Sequence, residues 1–306
     1  MVLLTTLGIK TEEESGIVLP HEHIFVDLRT WDQPGYAQAK ADDVIALMAP
    51  ELERASLSGI TTIVDATCVG VGRRVDILKA LSEANSFALV VPTGVYREPW
   101  IPEWIHEASE DELYEWMCHE LEVEIEHTGV RAGWVKLSAG DNGMTEAEEK
   151  ILRAATRAAQ HSSAVIGSHT MRGRTVRDQL SIIQEAGYSP DHFIWIHAQI
   201  EPEFELNLEM AWRGAWVEYD SIGDEIYTEV IFDRILRMLE AGLGDQVLLS
   251  HDRGWYDPAK PGGGTPRPFN YLTETFLPRL RSAGVDENTI QLLTRQNPLR
   301  AFSRPG

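Results

Sequence analysis

The sequence predicts a (β/α)8 barrel. Three observations lead there: eight short β-rich apolar runs recur along the chain, stretches of helical periodicity stand between them, and no Pro-, Gly- or Ser-rich linker divides the chain. Strand followed by helix, repeated, calls for parallel pairing, and eight units in one undivided chain favour closure over an open doubly wound sheet. At 306 residues the chain lies within the range of such a barrel, for which roughly 250 residues is typical.

In chain order the strand runs are "GIVLP" from Gly16, "GITTIVDAT" from Gly59, "FALVVPTG" from Phe87, "GVRAGWVKLSAG" from Gly129, "SAVIGSHT" from Ser163, "HFIWIHAQ" from His192, "GAWVEYD" from Gly214 and "DQVLLSHD" from Asp245. Between them, "EDELYEWMCHELEVEIEH", "TEAEEKILRAATRAAQ", "VRDQLSIIQEAG" and "DEIYTEVIFDRILRMLEAG" carry apolar residues at three- and four-residue spacing, and two of these end at a Gly suited to a helix C-cap. One domain is expected over residues 1–306, with the barrel at about 16–297, an N-terminal extension over 1–15 and a tail over 298–306. The segment "RGWYDPAKPGGGTPRP" from Arg253 shows neither period, and is expected to be a long βα-loop on the C-terminal face, where such loops carry function.

The composition, 43% hydrophobic and 25% charged with nine Trp, is that of a globular protein. A formal net charge of -21 excludes nucleic acid and anionic membrane as expected partners, because both are bound through Lys and Arg. Cys68 and Cys118 form no CxxC pair and are read as inert apolar residues. The opening "MVLLTTLGIKTEEESG" has no basic n-region and too short an apolar run for a signal peptide or span, so a cytoplasmic protein is expected.

Residues able to bind metal stand at the C-terminal ends of five runs: His21 and His23 after the first, Lys136 in the fourth, His169 in the fifth, His197 in the sixth and Asp252 in the eighth. In a barrel all face one mouth. Side chains alternate along a strand, so the H-x-H pair puts both imidazoles on one side with Glu22 pointing away. Any one of these residues alone reads equally well as a satisfied strand-end histidine, a turn cap or a snorkelling cation; their joint placement is what points to a metal site. Nitrogen and oxygen ligands in this mix suit zinc, with Mn2+, Co2+ or Fe2+ as substitutes. Lys136 is the exception in the set, since an ammonium has no lone pair and is repelled by a cation; it must be neutral or modified.

With its "HEH" pair, the Lys of "GWVKLSAG", the His of "GSHT", the His of "WIHAQ" and the Asp of "LLSHD", the chain resembles the phosphotriesterase family of the amidohydrolase superfamily. The resemblance runs from about Thr5 to Phe302 and includes the endings "YLTETFLPRLRSAGV" and "LTRQNPLRAF". It implies two divalent ions per chain, a CO2-derived carbamate on Lys136 bridging them, His21, His23 and Asp252 on the more buried ion, His169 and His197 on the more exposed one, and a hydrolytic activity in which Asp252 carries the proton. It also allows a homodimer.

The same resemblance suggests a lactone as substrate, because Tyr96 in "PTGVYREPW" stands where phosphotriesterase-like lactonases carry a tyrosine and paraoxon-hydrolysing members a tryptophan. Ser221 stands where many acyl-homoserine-lactone hydrolysing members place an arginine. Arg172, Arg174 and Arg253, with Arg97, Lys260 and Arg267, lie on loops of the same face; they are either solvated loop charges or, if they converge, a site for a phosphate or carboxylate such as that of a phosphorylated sugar lactone. Trp255, with Trp100, Trp104 and Tyr256, either walls a leaving-group pocket or packs on the rim. The leading expectation is a binuclear zinc-dependent hydrolase of lactones or related esters, with phosphotriester hydrolysis as a side activity. Its alternatives are a phosphotriester or N-acyl amide hydrolase, a one-metal deaminase, which does not need Lys136, and a non-catalytic ligand-binding barrel.

Overall fold

Every one of the eight apolar runs contains a strand in the computed structural model, which describes residues 2–305. Met1 and Gly306, the ends of the expected domain, lie outside the described residues. The barrel strands are β1 (Ile17–Phe25), β2 (Ile60–Asp65), β3 (Ala88–Val90, resumed at Pro92–Thr93), β4 (Trp134–Ser138), β5 (Ile166–His169), β6 (Phe193–Ile196), β7 (Trp216–Tyr219) and β8 (Val247–Leu249). Each pairs in parallel with the next. The ladder is continuous through β3, where the Val91 carbonyl accepts from the Gly133 N–H at 2.9 Å. Between β8 and β1 the seam is made differently: the His21 N–H donates to Ser250 Oγ at 3.0 Å, and the Asp252 N–H to the His21 carbonyl at 3.2 Å. The fold is the (β/α)8 barrel.

The helices follow their strands and cover the sheet with apolar faces. Two begin in full capping boxes, Ser109 with Glu112 and Thr145 with Glu148, which satisfy otherwise orphaned N–H groups at Glu110–Glu122 and Glu146–Ser162. The periodicity of "EDELYEWMCHELEVEIEH" predicts a helix to His127, but it stops at Glu122. Glu126 and His127 have positive φ, and the Glu126 carboxylate turns back to the buried Arg73 guanidinium at 2.8 Å, so a tertiary ion pair overrides local propensity.

Inside the barrel, Val18, Val64, Val90, Trp134, Ile194, Trp216 and Leu248 form a packed layer beneath the mouth. Gly167 makes room for one of its two tryptophans: a Cβ there would stand 2.5 Å from Trp134 Cζ3 and 3.0 Å from Ile196 Cδ1. Gly167→Ala is therefore expected to overpack the interior and cost about 1–3 kcal/mol, seen as a lower urea midpoint. The N-terminal extension and the C-terminal tail seal this layer from below. The hairpin Val2–Thr5/Gly8–Thr11 buries Leu3, and the helix Asn297–Phe302 sets Phe302 edge-on to Trp134 with centroids 5.2 Å apart. Arg304 then bonds the carbonyls of Ser162, Leu121 and Ala132.

The long loop after β8 is not wholly irregular. Gly254–Tyr256 adds a short parallel strand beside His23 and Phe25 of β1. Gly254 is required there, because its φ is 94° and a Cβ would lie 2.1 Å from the His23 carbonyl oxygen. Among the described residues no helix is long and apolar enough to cross a membrane.

Candidate metal centre

Two departures from strand regularity place the imidazoles. Leu19 of β1 pairs with Ile63 and Glu22 with Asp65, so three steps on β1 face two on β2; the extra residue is a bulge within Pro20–His21, where a proline's missing N–H is tolerated. The bulge shifts the alternation, so that Val18, His21 and His23 all face inward while Glu22 faces out to β8. At the end of β6, His197 has φ 66°, which turns its side chain to the interior immediately after the inward Ile196. Asp252, Ser221 and Trp255 are left-handed as well, at 55°, 77° and 75°. Such backbone costs of order 1 kcal/mol or more per residue, and it gathers here around the mouth.

These turns bring the six expected ligands to one place, all of them lining the same cavity. His21 Nε2 lies 3.3 Å from His23 Nε2, and Asp252 Oδ1 lies 3.2 Å from His23 Nε2 and 3.8 Å from His21 Nε2. Donors bound at ~2.0–2.1 Å around one tetrahedral ion are about 3.3 Å apart, so this trio fits a cation as it stands. On the other side His197 Nε2 faces His169 Nδ1 at 2.7 Å, a distance at which one ring donates to the other; a cation would take the place of that proton. Asp252 Oδ1 and Lys136 Nζ are buried and have no hydrogen-bond partner. The donor set and its unpartnered atoms therefore fit divalent metal.

A supporting layer, not foreseen from the sequence, fixes three of the four rings. Glu218 Oε1 binds His21 Nδ1 at 2.8 Å, Thr67 Oγ1 binds His23 Nδ1 at 2.7 Å, and Asp220 Oδ1 binds His197 Nδ1 at 2.6 Å while its other oxygen accepts the His197 N–H. With Nδ1 engaged, Nε2 of each is turned to the cavity. The alternation of "WVEYD" places Glu218 and Asp220 on the inner face of β7, a signal the strand pattern did contain. Burial, then the nearby Lys136 and imidazoles, push the His21 ring well below its ordinary value; burial followed by His197 does the same for His169. Both keep lone pairs at neutral pH. Burial also lowers the Lys136 ammonium, against the pull of Glu218, Asp220 and Asp252. For Asp252 burial acts upward, but the close contact with His23 and the neighbouring imidazoles outweigh it and hold the carboxyl well below the usual range.

The cavity above these groups measures ≈ 180 Å³ and its outer wall is Val26, Leu28, Val71, Tyr96 and Trp255. Tyr96 Oη lies 3.3 Å from both ring nitrogens of His169, and burial raises its phenol far above the ordinary value, so it remains a donor. Two of the five expected substrate contacts, Tyr96 and Trp255, thus reach the cavity. The three arginines do not line it. Arg172 donates to the Ile200 carbonyl at 3.2 Å, Arg174 is exposed on the first turn of its helix, and Arg253 donates to the Gly223 carbonyl and lies over the Tyr271 ring. Arg97 binds Asp141, Lys260 lies near Asp257, and Arg267 caps the Asp252 carbonyl and lies over Trp255. Loop position predicts which face a guanidinium occupies, not its direction; here backbone carbonyls and acids capture most of them first. Arg172→Ala and Arg174→Ala are expected to leave kcat/KM within about threefold of wild type, checked on any substrate found active.

Fold and site together define an α/β barrel with a convergent His/Asp/Lys centre suited to divalent metal at its C-terminal mouth. A model of the phosphotriesterase family matches residues 1–302, and the chain belongs to that family of hydrolases. It is similar to the aryldialkylphosphatase of Saccharolobus solfataricus, with 27% identity over 301 residues covering 95% of this chain and 96% of that protein. Among solved structures, a lactonase from Listeria monocytogenes is 25% identical with a TM-score of 0.88 and 100% of both chains covered. A mutant organophosphorus hydrolase from Deinococcus radiodurans is 28% identical with a TM-score of 0.87, covering 99% of this chain and 98% of its own.

Proposed function

We propose that this chain is a zinc-dependent hydrolase with a binuclear centre that opens lactones or related esters, with phosphotriester hydrolysis as a side activity. The observation that carries the reading is the meeting, under an apolar cavity, of lone-pair donors spaced for a cation with a buried, partnerless amine. His21, His23 and Asp252 would hold one ion and His169 and His197 the other, with Lys136 between. When bound, such ions bring the pKa of a shared water towards neutrality and polarise the carbonyl or phosphoryl oxygen under attack.

The remaining steps belong to the protein's own groups. The Lys136 nitrogen, when neutral, attacks the carbon of CO2 and releases a proton, leaving a carbamate that carries the negative charge the site needs in place of a positive one. Asp252, lining the cavity with Oδ1 free of hydrogen-bond donors in the protein, would accept the proton of the attacking water and pass it to the departing alkoxide. Tyr96 stands beside His169 where its hydroxyl can donate to the substrate, while Val26, Leu28, Val71 and Trp255 exclude water and accept an uncharged acyl or alkyl group. A neutral small molecule is favoured over an anionic one, since Lys136 is the sole cationic side chain among the residues lining the cavity. Cys68, whose thiol burial pushes up to about 12, and Cys118 are both unpaired, in keeping with a cytoplasmic setting.

The test is a screen of aliphatic and aromatic lactones, sugar-phosphate lactones, phosphotriesters and N-acyl amides, with zinc and bicarbonate supplied. Hydrolysis led by neutral lactones is expected. Activity confined to amides would replace the substrate assignment, and inactivity throughout would favour a ligand-binding barrel.

A further inference from the structure

The seam between the last and first strands passes through one carboxylate. Glu22 is fully buried, faces away from the metal-binding side chains, and receives all four of its hydrogen bonds from residues around Asp252. Oε1 accepts from Ser250 Oγ at 2.8 Å, the His251 N–H at 3.0 Å and His251 Nδ1 at 2.6 Å; Oε2 accepts from the Arg253 N–H at 2.7 Å. The His251 tautomer is set by its other nitrogen, which accepts the Leu272 N–H at 2.9 Å. Glu22 therefore holds the N–H groups of the residues on both sides of Asp252, while the Asp252 N–H is held by the His21 carbonyl at 3.2 Å.

The residue between those two grips is the one whose backbone is strained, at φ 55°. A β-region backbone at this position would carry the carboxylate on along the strand direction; the left-handed one turns Oδ1 to within 3.2 Å of His23 Nε2. We propose that Glu22 is a positioning residue: its carboxylate imposes the left-handed turn at Asp252 and so aims the proton-carrying group of the proposed hydrolase. The inference rests on the function proposed above for its kinetic consequence, but not for its structural one.

Glu22→Gln is the informative variant, because an amide keeps the size yet offers only one accepting atom. With its oxygen facing the three donors of the Oε1 position, its NH2 faces the Arg253 N–H, and that grip is lost. In metal-replete Glu22→Gln, kcat is expected to fall by about 10–100-fold with KM within threefold, the range seen when outer partners of a site are removed. Crystals of the variant should show the Asp252 carboxylate displaced from His23. A residue that merely closes the barrel would lower the melting temperature and leave kcat per folded molecule unchanged. Turnover within threefold of wild type, or an unmoved carboxylate, overturns the proposal. Should wild-type protein hydrolyse nothing in the screen, the proposed function fails while the carboxylate's position still decides this claim. If Glu22→Gln does not fold, Glu22→Asp decides it, because it keeps the charge but draws it back from the Arg253 N–H: a displaced Asp252 carboxylate with the same fall in kcat is expected, and an unmoved carboxylate with turnover within threefold of wild type overturns the proposal.

Discussion

Asp252→Asn is expected to fold as wild type and to lose most of its turnover. The side chain is nearly isosteric, and Oδ1 has no hydrogen-bond donor in the protein that the change would orphan. The contact with His23 is the main thing weakened, so the stability cost should stay at about 1 kcal/mol. Kinetically the change removes the one group placed to take up and release the proton, because an amide has no basicity in the accessible pH range. General acid–base contributions of this kind are worth about 10²–10⁴-fold, and kcat should fall within or beyond that span with KM little altered. Circular dichroism and a melting curve on the same metal-replete sample separate lost chemistry from lost folding. Near wild-type turnover would remove Asp252 from its assigned role.

Lys136→Met should dissociate activity from stability in a more revealing way. The Lys136 side chain is 2% exposed and its amine has no partner, so the native fold carries the cost of burying a polar group without compensation. Methionine matches the stem in length and removes that cost. The metal-free variant is therefore expected to melt no lower than metal-free wild type, although most buried substitutions destabilise. Activity is expected to drop to background, because no carbamate can form and the second ion loses its anionic bridge. A variant that is both less stable and still active would show that the lysine serves packing or an ion pair instead.

The barrel was legible because its signal is local: a β-rich run, a helical period and a capping residue all lie within a few turns of chain, as "TEAEEKILRAATRAAQ" and its Thr145 box illustrate. The six convergent side chains were legible for the same reason, since strand ends of one barrel share one face. What could not be read was whatever depends on partners far away in sequence. The bond from His21 to Glu218 spans 197 residues, and the Glu22 clamp on His251 spans 229. The bulge between Leu19 and Glu22 and the left-handed His197 break the two-residue alternation that strand reading relies on; without them the inward faces of "LPHEH" and "IWIH" would be assigned differently. The Gly254–Tyr256 strand is three residues long inside a Gly- and Pro-rich loop, too short for any period to show. The loop arginines show the limit most plainly. Their hydrogen bonds to carbonyls such as those of Ile200 and Gly223 depend on backbone that only folding brings near.

The supporting carboxylates also explain how so many polar groups persist in one interior. Glu218 has its ionisation pushed well up by burial and then by Asp220, whereas Asp220 itself is engaged by His197 and Gln199. Both oxygens of Asp220 and Oε1 of Glu218 are thus matched to specific N–H donors before any cation is considered, while Glu218 Oε2 has no partner.

The central claim is that these six side chains hold two cations joined through a modified lysine. Its most direct measurement is the metal content per chain of protein purified with zinc and bicarbonate, read by elemental analysis on wild type and Lys136→Met in parallel. About two ions per wild-type chain, falling to one or fewer in the variant, is the predicted result. Two ions in both proteins, or none in an active wild type, would contradict it.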